Sequence, residues 1–334
     1  MKVLHLPYGA GIVSLSEALR EHGVHADSCS FYSTNTYNYL ADYKLDLDLL
    51  TKDKKEEKLK QFFEYAKETY DVFHFHFGET FHPMFLDVKE LNEKGKKVLV
   101  HHRGSEVRRR SIAQRVNPDV VVKKDWSEQR IKKRLRALSK YVKVAIVNDV
   151  ELIPYVSDYY ERVEVVPHAL NHQRISPVFP SEKAVPTIVH APSHQEIKGT
   201  AEIEAAIRRL REQGHKFNYR RLEHKTHEEL LSEVLEATIV IDQLKIGTYA
   251  NLTMEAMASG KPVICFIHEQ FRNSYPKQLP IVEATTETIH DVILDLLVHQ
   301  EKWATIGQQS RMYVEQFHSY PIIAKQLKQI YETL

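Results

Sequence analysis

At 334 residues, with 43% hydrophobic and 27% charged residues, the chain is long enough for two domains of about 100 to 200 residues each. Its two cysteines, Cys29 and Cys265, lie far apart in sequence, which argues against a disulfide framework or zinc-ligand spacing and fits a reducing compartment. No apolar run approaches the ~20 residues of a membrane span, and the opening MKVLHLPYG is too short for a signal peptide, so a cytoplasmic location is expected. The net charge of +1 conceals an asymmetry: residues 101–143 hold fourteen Lys or Arg against four Asp or Glu, an excess of +10 that leaves −9 for the rest. Any electrostatic partner is expected to meet the chain there.

Lys2 to Leu6 reads as a first strand, followed by a glycine-containing loop and a helix over residues 14–22. Ser14 and Glu17 have capping-box spacing, and Gly23 stands at the C′ stop. Strand, glycine loop and helix open a Rossmann-like unit, although Gly9 and Gly11 do not complete a dinucleotide fingerprint. A helix follows over 54–69, and residues 71–77 then read DVFHFHF, a strand in which His74 and His76 share one face. Two histidines alone make no metal site and no third ligand stands out, so core or cleft-edge histidines are the favoured reading and no metal is expected. A strand beginning at Lys97 runs into HHRGSEVR, and loops at the carboxyl ends of parallel strands are where such folds keep their chemistry. Residues 128–143 read as a helix with Ile131, Leu135, Leu138 and Val142 as its apolar stripe and a dense Arg and Lys face opposite.

After a strand, a short helix and another strand, residues 167–180 hold three prolines and little periodicity, and are expected to form a hinge. Thr187 to His190 opens a second sheet, followed by APSHQEIKGT, a loop that holds Lys198, and a helix over 200–213. A strand over 216–222 and a helix capped by Thr226 with Glu229 lead into residues 237–266. There a β-branched strand gives way to a polar loop at Asp242 and Gln243. A brief helix over 252–258 follows, stopped by Gly260, and Pro262 opens the next strand. The first turn of that helix, at Asn251, Leu252 and Thr253, offers unpaired backbone N–H groups of the kind that hold phosphate. Glu255, one turn in, has the reach to accept bonds from two ribose hydroxyls, or else simply complements the helix dipole. Residues 320–334 read as an amphipathic last helix.

The run TMEAMASGKPVI resembles the donor-binding signature of retaining nucleotide-sugar glycosyltransferases of the GT-B fold, in the group typified by family 4. The resemblance covers nearly the whole chain and is strongest over 188–264. It implies two Rossmann-like α/β domains facing across a cleft. Residues 1–166 would form the acceptor side, 167–318 the donor domain, and 319–334 a helix returning to the first domain. By the same resemblance, Glu255 holds the donor ribose, the amides of Asn251, Leu252 and Thr253 hold the diphosphate, and Lys198 reaches it as a mobile cation. His102 faces the donor sugar, and Gly11 lies in a loop that approaches donor phosphate or acceptor, a tight turn being the equally weighted alternative. The catalytic set is thus His102, Lys198 and Glu255.

Three departures from the family pattern stand out. Gly247 replaces a glutamate near the donor sugar. Ser193, within the donor-binding loop, replaces an arginine. Pro167, His168 and Ala169 stand where the family has Pro-Asn-Gly or Pro-Asn-Pro. The implied activity is metal-independent hexosyl transfer from a nucleotide diphosphate sugar, with no cofactor, to a sugar or lipid-linked hydroxyl, as in cell-surface polysaccharide or glycolipid synthesis. Alternatives are a nucleotide-sugar epimerase of the same fold and a donor-binding protein without catalysis. Arg103, Arg108, Arg109 and Arg110, with Glu106, are expected to shape the acceptor side or to meet an anionic surface. That surface could be the inner face of a membrane, at about 1 kcal/mol per basic residue, with a merely solvated basic helix as the equally weighted alternative. Nucleic acid is disfavoured because Trp126 and Tyr141 stand isolated among the charges.

Overall fold

The structure is a computed structural model and describes residues 1–33, 39–118, 120–123, 126–182 and 185–334. In chain order its first half holds β1 (Lys2–Leu6), α1 (Ala10–Glu21), β2 (His25–Ser30), β3 (Tyr43–Lys44), α2 (Lys52–Thr69), β4 (Val72–His76), α3 (Leu86–Glu93), β5 (Lys97–His102), α4 (Arg110–Val116), α5 (Glu128–Leu138), β6 (Val144–Val147), α6 (Ile153–Val156) and β7 (Arg162–Val165). Its second half holds β8 (Thr187–His190), α7 (Gln195–Lys198), α8 (Thr200–Glu212), β9 (Asn218–Arg221), α9 (His227–Glu236), β10 (Ile239–Ile241), α10 (Asn251–Ala258), β11 (Val263–Cys265), α11 (Glu269–Arg272), β12 (Val282–Glu283), α12 (Ile289–Val298), α13 (Lys302–Phe317) and α14 (Tyr320–Glu332).

The strands form two sheets, ordered β3-β2-β1-β4-β5-β6-β7 and β12-β11-β10-β8-β9, with parallel pairing throughout. Parallel neighbours need crossover connections, and the intervening helices cover both sheet faces, so the central strands carry apolar residues on both sides. Val3, Leu4 and Leu6 of β1 and Ile188 and Val189 of β8 are fully buried for this reason.

Contacts divide the chain into two units. One comprises Met1–Arg109, Lys123–Ala169 and Tyr320–Leu334, the other Arg110–Val122 and Leu170–Ser319. The last helix therefore returns to the first unit, as the resemblance implied. Ile323, Leu327 and Ile330 of α14 lie at helical spacing and pack with Leu15, Leu19, Val72 and Leu99 in one core. No sequence feature marked Arg110–Val122 as part of the second unit. That unit has a core on each sheet face. Val189, Val240 and Val263 point to one, Ile188, Ile239 and Ile264 to the other, the alternation a pleated strand requires.

Three local expectations change. Helix α1 begins at Ala10, with Gly9 at φ 97° as its N-cap. Ser14 therefore sits inside the helix, its hydroxyl turned to the Gly11 carbonyl, and forms no capping box. The basic helix α5 ends at Leu138, with Ser127 as its N-cap, because residues 139–143 turn into β6. The segment around Lys198 is a single helical turn closed by Gly199 at φ 75°, not an open loop.

Candidate functional site

In the second unit the site is built where β10 stops. Asp242 is fully buried and accepts the Thr253 hydroxyl at 2.7 Å on Oδ2. Its Oδ1 takes the Lys198 ammonium in a short ion pair. Lys198 is only 8% exposed, so this cation rests on Asp242, and reaching a ligand would mean leaving that carboxylate. A buried charge of either sign needs such a partner. Gln243 shapes the following loop from within. Its Oε1 accepts the Lys245 and Ile246 amides at 2.9 and 2.6 Å, while its Nε2 donates to the carbonyls of Thr248 and Phe266. Asn117, from the Arg110–Val122 segment, donates to the Lys245 carbonyl at 2.7 Å, and Lys245 pairs with Glu202 at 2.7 Å.

Helix α10 starts after Ala250, which has no side chain able to cap it. Among the described residues, the N–H groups of Asn251, Leu252 and Thr253 therefore have neither an intrahelical acceptor nor a side-chain cap, which suits an anion. The Thr253 side chain itself belongs to Asp242. Glu255 Oε1 bonds to His227 Nε2 at 2.9 Å. That hydrogen bond raises the imidazole's pKa against the opposing effect of its partial burial. His227, the first residue of α9, was missed in the sequence, where only the adjacent Thr226–Glu229 capping box, which does form, was visible.

Gly247 has φ 89°, and a Cβ there would lie 2.7 Å from the Cβ of His268. The glutamate of the resembled family has no room on this backbone, and the left-handed conformation requires glycine. Ser193 is exposed in the loop between β8 and α7.

The first unit's residues gather at the carboxyl end of β5. His102 is 1% exposed, hydrogen-bonded through Nε2 to the Tyr160 hydroxyl at 2.9 Å, and its Nδ1 lies 3.4 Å from Glu106. Burial pushes the Glu106 carboxyl up, but bonds from His102 and from the Arg103 backbone outweigh it and leave the group below the usual carboxylate range. His102 and Glu106 line a small pocket with Phe77, Gly78, Trp126 and Arg134. Trp126 is not isolated: the guanidinium groups of Arg130 and Arg134 lie 4.5 and 5.3 Å from its ring centroid.

The arginines part company. Arg103 is half-buried and directed over Gly11, where a Cβ would fall 2.0 Å from its Nη2. A side chain at position 11 would therefore have to displace the Arg103 guanidinium. Arg108 grips Glu151 through Nε and Nη2 at 2.9 to 3.0 Å. Arg109 is 3% exposed, donates to the Tyr155 carbonyl and lies against the rings of Tyr155 and Tyr159. Arg110 is exposed. His5, on β1, joins His74 and His76, and one ring nitrogen from each lies within 4.8 Å of the others. The third histidine that the sequence did not reveal is thus present, and all three rings are fully buried.

Comparison with solved structures gives the fold. The chain is similar to sucrose-phosphate synthase (tll1590) from Thermosynechococcus elongatus, at 17% identity over 99% of this chain and 98% of that one, with a TM-score of 0.64. It is similar to Anabaena Alr3699/HepE in complex with UDP-glucose, at 11% identity over all of both chains, with a TM-score of 0.66. A glycosyltransferase from Rickettsia africae ESF-5 matches at 12% identity over 99% and 97% of the two chains, with a TM-score of 0.63. No protein-family model and no curated protein matches the sequence. The chain has the GT-B fold, with two Rossmann-like α/β units and the last helix returned to the first.

Proposed function

We propose that the protein is a retaining glycosyltransferase that moves a sugar from a nucleotide diphosphate sugar to a hydroxyl acceptor, without a required metal. The observation that carries this reading is the uncapped first turn of α10, with Glu255 one turn in, on a GT-B fold. It is supported by the UDP-glucose bound in the similar Anabaena structure.

The roles follow from the chemistry. Glu255 accepts the two ribose hydroxyls, releasing His227. The amides of Asn251, Leu252 and Thr253 take the diphosphate, and Lys198 turns from Asp242 towards it. The C1–O bond to the leaving phosphate breaks, the acceptor oxygen bonds to C1, and the acceptor's proton passes to the leaving diphosphate. Charge builds on that diphosphate as the oxocarbenium-like centre forms, so fixed N–H donors and a cation there lower the barrier. His102 orients the sugar. The acceptor, a sugar or lipid-linked hydroxyl, binds the first unit. The exposed Lys132, Lys133, Arg136 and Lys140 of the basic segment hold the protein at an anionic membrane face.

The test is incubation with a panel of nucleotide diphosphate sugars and glycoside or lipid-linked acceptors, with the product's anomeric configuration read by NMR. Retained configuration is expected, and an inverted product refutes the mechanism. Turnover of donor without acceptor would instead mark an epimerase. The ion pair holding Lys198 and the glycine required at position 247 favour one further reading, a donor-binding protein without transfer. It predicts donor binding and no product with any acceptor.

A further inference from the structure

One face of the first sheet changes character along its strands. Val3, Val72 and Leu99 are apolar at one end. Towards the carboxyl ends, His5 pairs in register with His74, and His76 with His101. All four rings are buried and stacked or tilted against one another at centroid distances of 4.4 to 5.5 Å. Tyr331 of α14 reaches in from above, its hydroxyl 2.7 Å from His74 Nδ1 and 3.4 Å from His5 Nε2. Arg103 closes the array from the loop, with Nη2 3.0 Å and Nε 3.3 Å from His76 Nδ1.

The proton positions follow from one fact, that a guanidinium can only donate. His76 Nδ1 must accept from Arg103, so neutral His76 carries its proton on Nε2 and donates to His5 Nδ1 at 3.2 Å. His5 then carries its proton on Nε2 and donates to the Tyr331 oxygen. Tyr331 must give its own proton to His74 Nδ1. His74, protonated on Nε2, donates to His101 Nδ1 at 3.2 Å, which leaves the His101 proton on Nε2. Burial, with Arg103 adding to it, holds His74, His76 and His101 well below the ordinary imidazole pKa, so the neutral forms that the chain requires are the ones present. A metal ion among His5, His74 and His76 would have to break these bonds and sit beside a guanidinium, which disfavours it.

The chain supplies Arg103 no paired counter-charge. Nε and Nη2 are bonded to His76, and Nη1 donates to Asn148 Oδ1 at 2.8 Å, all neutral acceptors. Among the described residues the guanidinium forms no ion pair, and the Glu106 carboxylate is turned to the backbone N–H groups of Arg103 and Gly104. Burial lowers its pKa, partly offset by Glu106, to about 10, so it stays charged at neutral pH. Of its five N–H groups, one on each terminal nitrogen is not engaged by these bonds. Carboxylate supports would have cancelled the charge; imidazoles fix the fork and preserve it.

We propose that Arg103 is an anion-binding residue for a phosphate or diphosphate group above Gly11, and that His76, His5, Tyr331, His74 and His101 form a one-directional hydrogen-bonded chain that positions it. For the carrier of that phosphate, and only for that, the inference rests on the nucleotide-sugar reading.

The test is NMR of the full chain labelled with 15N-histidine, titrated with inorganic pyrophosphate. Four neutral Nε2–H tautomers are expected, and pyrophosphate should shift the His76 signals. Tyr331→Phe should release only His74 and His101 into mixed tautomers, because His76 and His5 remain bound by Arg103. Arg103→Met should release all four, abolish the His76 response, and weaken pyrophosphate binding at least tenfold. A proton on His76 Nδ1, pyrophosphate binding unchanged in Arg103→Met, or stoichiometric zinc retained on dialysis with shifts at His5, His74 and His76 overturns the proposal. The probe needs no turnover. Loss of sugar transfer as an activity would leave this result standing, and transfer with an indifferent Arg103 would remove this inference alone.

Discussion

Replacing Lys198 by methionine should destabilise the second unit before it affects any ligand. Asp242 is fully buried and has two supports, the Lys198 ammonium on one oxygen and the Thr253 hydroxyl on the other. With the ammonium gone, a carboxylate remains buried with one neutral donor, and breaking a buried pair in this way costs about 3–5 kcal/mol. Removing only the hydroxyl, in Thr253→Val, loses one bond to a charged group, about 1.5–3 kcal/mol. Because ordinary domains are stable by only ~5–15 kcal/mol, the first change consumes a large share of the total. Lys198→Met/Asp242→Asn should recover much of the loss, since the orphaned charge is gone, and the cycle should show a coupling of at least ~1 kcal/mol. Urea denaturation of wild type, Lys198→Met, Asp242→Asn, the double variant and Thr253→Val, followed by circular dichroism, measures each term. A loss below about 1 kcal/mol in Lys198→Met, with no recovery in the double variant, would refute the picture of a buried charge held by this lysine. The result bears on function, since lost ligand response in a lysine deletion is interpretable only once its stability is known.

Gly247→Glu restores the charge of the resembled family at a backbone that cannot take it. The left-handed φ costs about 1–3 kcal/mol before the collision with His268 is counted. The melting temperature should fall by several degrees, at about 2–4 °C per kcal/mol for a unit of this size, and an unchanged value contradicts the geometry. His227 has its folded pKa raised above the ordinary 6.5 by Glu255. Its stabilising contribution is therefore complete below about pH 6.5 and disappears as pH rises through the raised folded value. The melting-temperature gap between wild type and His227→Gln should narrow over that interval, and a gap that widens has the wrong sign. Leu327→Ala, at a fully buried position of α14, should cost about 2–5 kcal/mol in chemical denaturation of the first unit. A neutral result would mean that the last helix does not complete that core.

Much of the fold is written in local patterns. Apolar strands, the Thr226–Glu229 box, Gly260 as a C′ stop and the stripe of α14 each need only a few neighbouring residues to declare themselves. The α10 turn with Glu255 was legible for the same reason, being contiguous. What escaped depends on pairing between distant residues. His5 and His76 are 71 positions apart and meet only because β1 and β4 are neighbours. Lys198 and Asp242 are 44 apart, His227 and Glu255 28 apart, and Asn117 reaches Lys245 across 128 residues. The arginines after His102 looked alike in sequence because charge density does not tell an exposed guanidinium from one wrapped around Glu151 or buried against two tyrosines. The position of α1 was misread because Ser14 and Glu17 satisfy the capping spacing, while Gly9, five residues earlier, starts the helix.

The central claim is that α10 and Glu255 form a nucleotide-sugar site. Isothermal titration of UDP and UDP-glucose into wild type and Glu255→Gln, followed by melting at the same ligand concentrations, tests it most directly. At about 100 times its dissociation constant, a ligand bound only by the folded protein should add ~2.7 kcal/mol of stability. The prediction is that wild type binds one of these ligands and is stabilised, while Glu255→Gln, with its fold intact, binds it at least tenfold more weakly. Equal binding by the two proteins, or no binding of any nucleotide diphosphate sugar when the panel is widened beyond uridine, would contradict it.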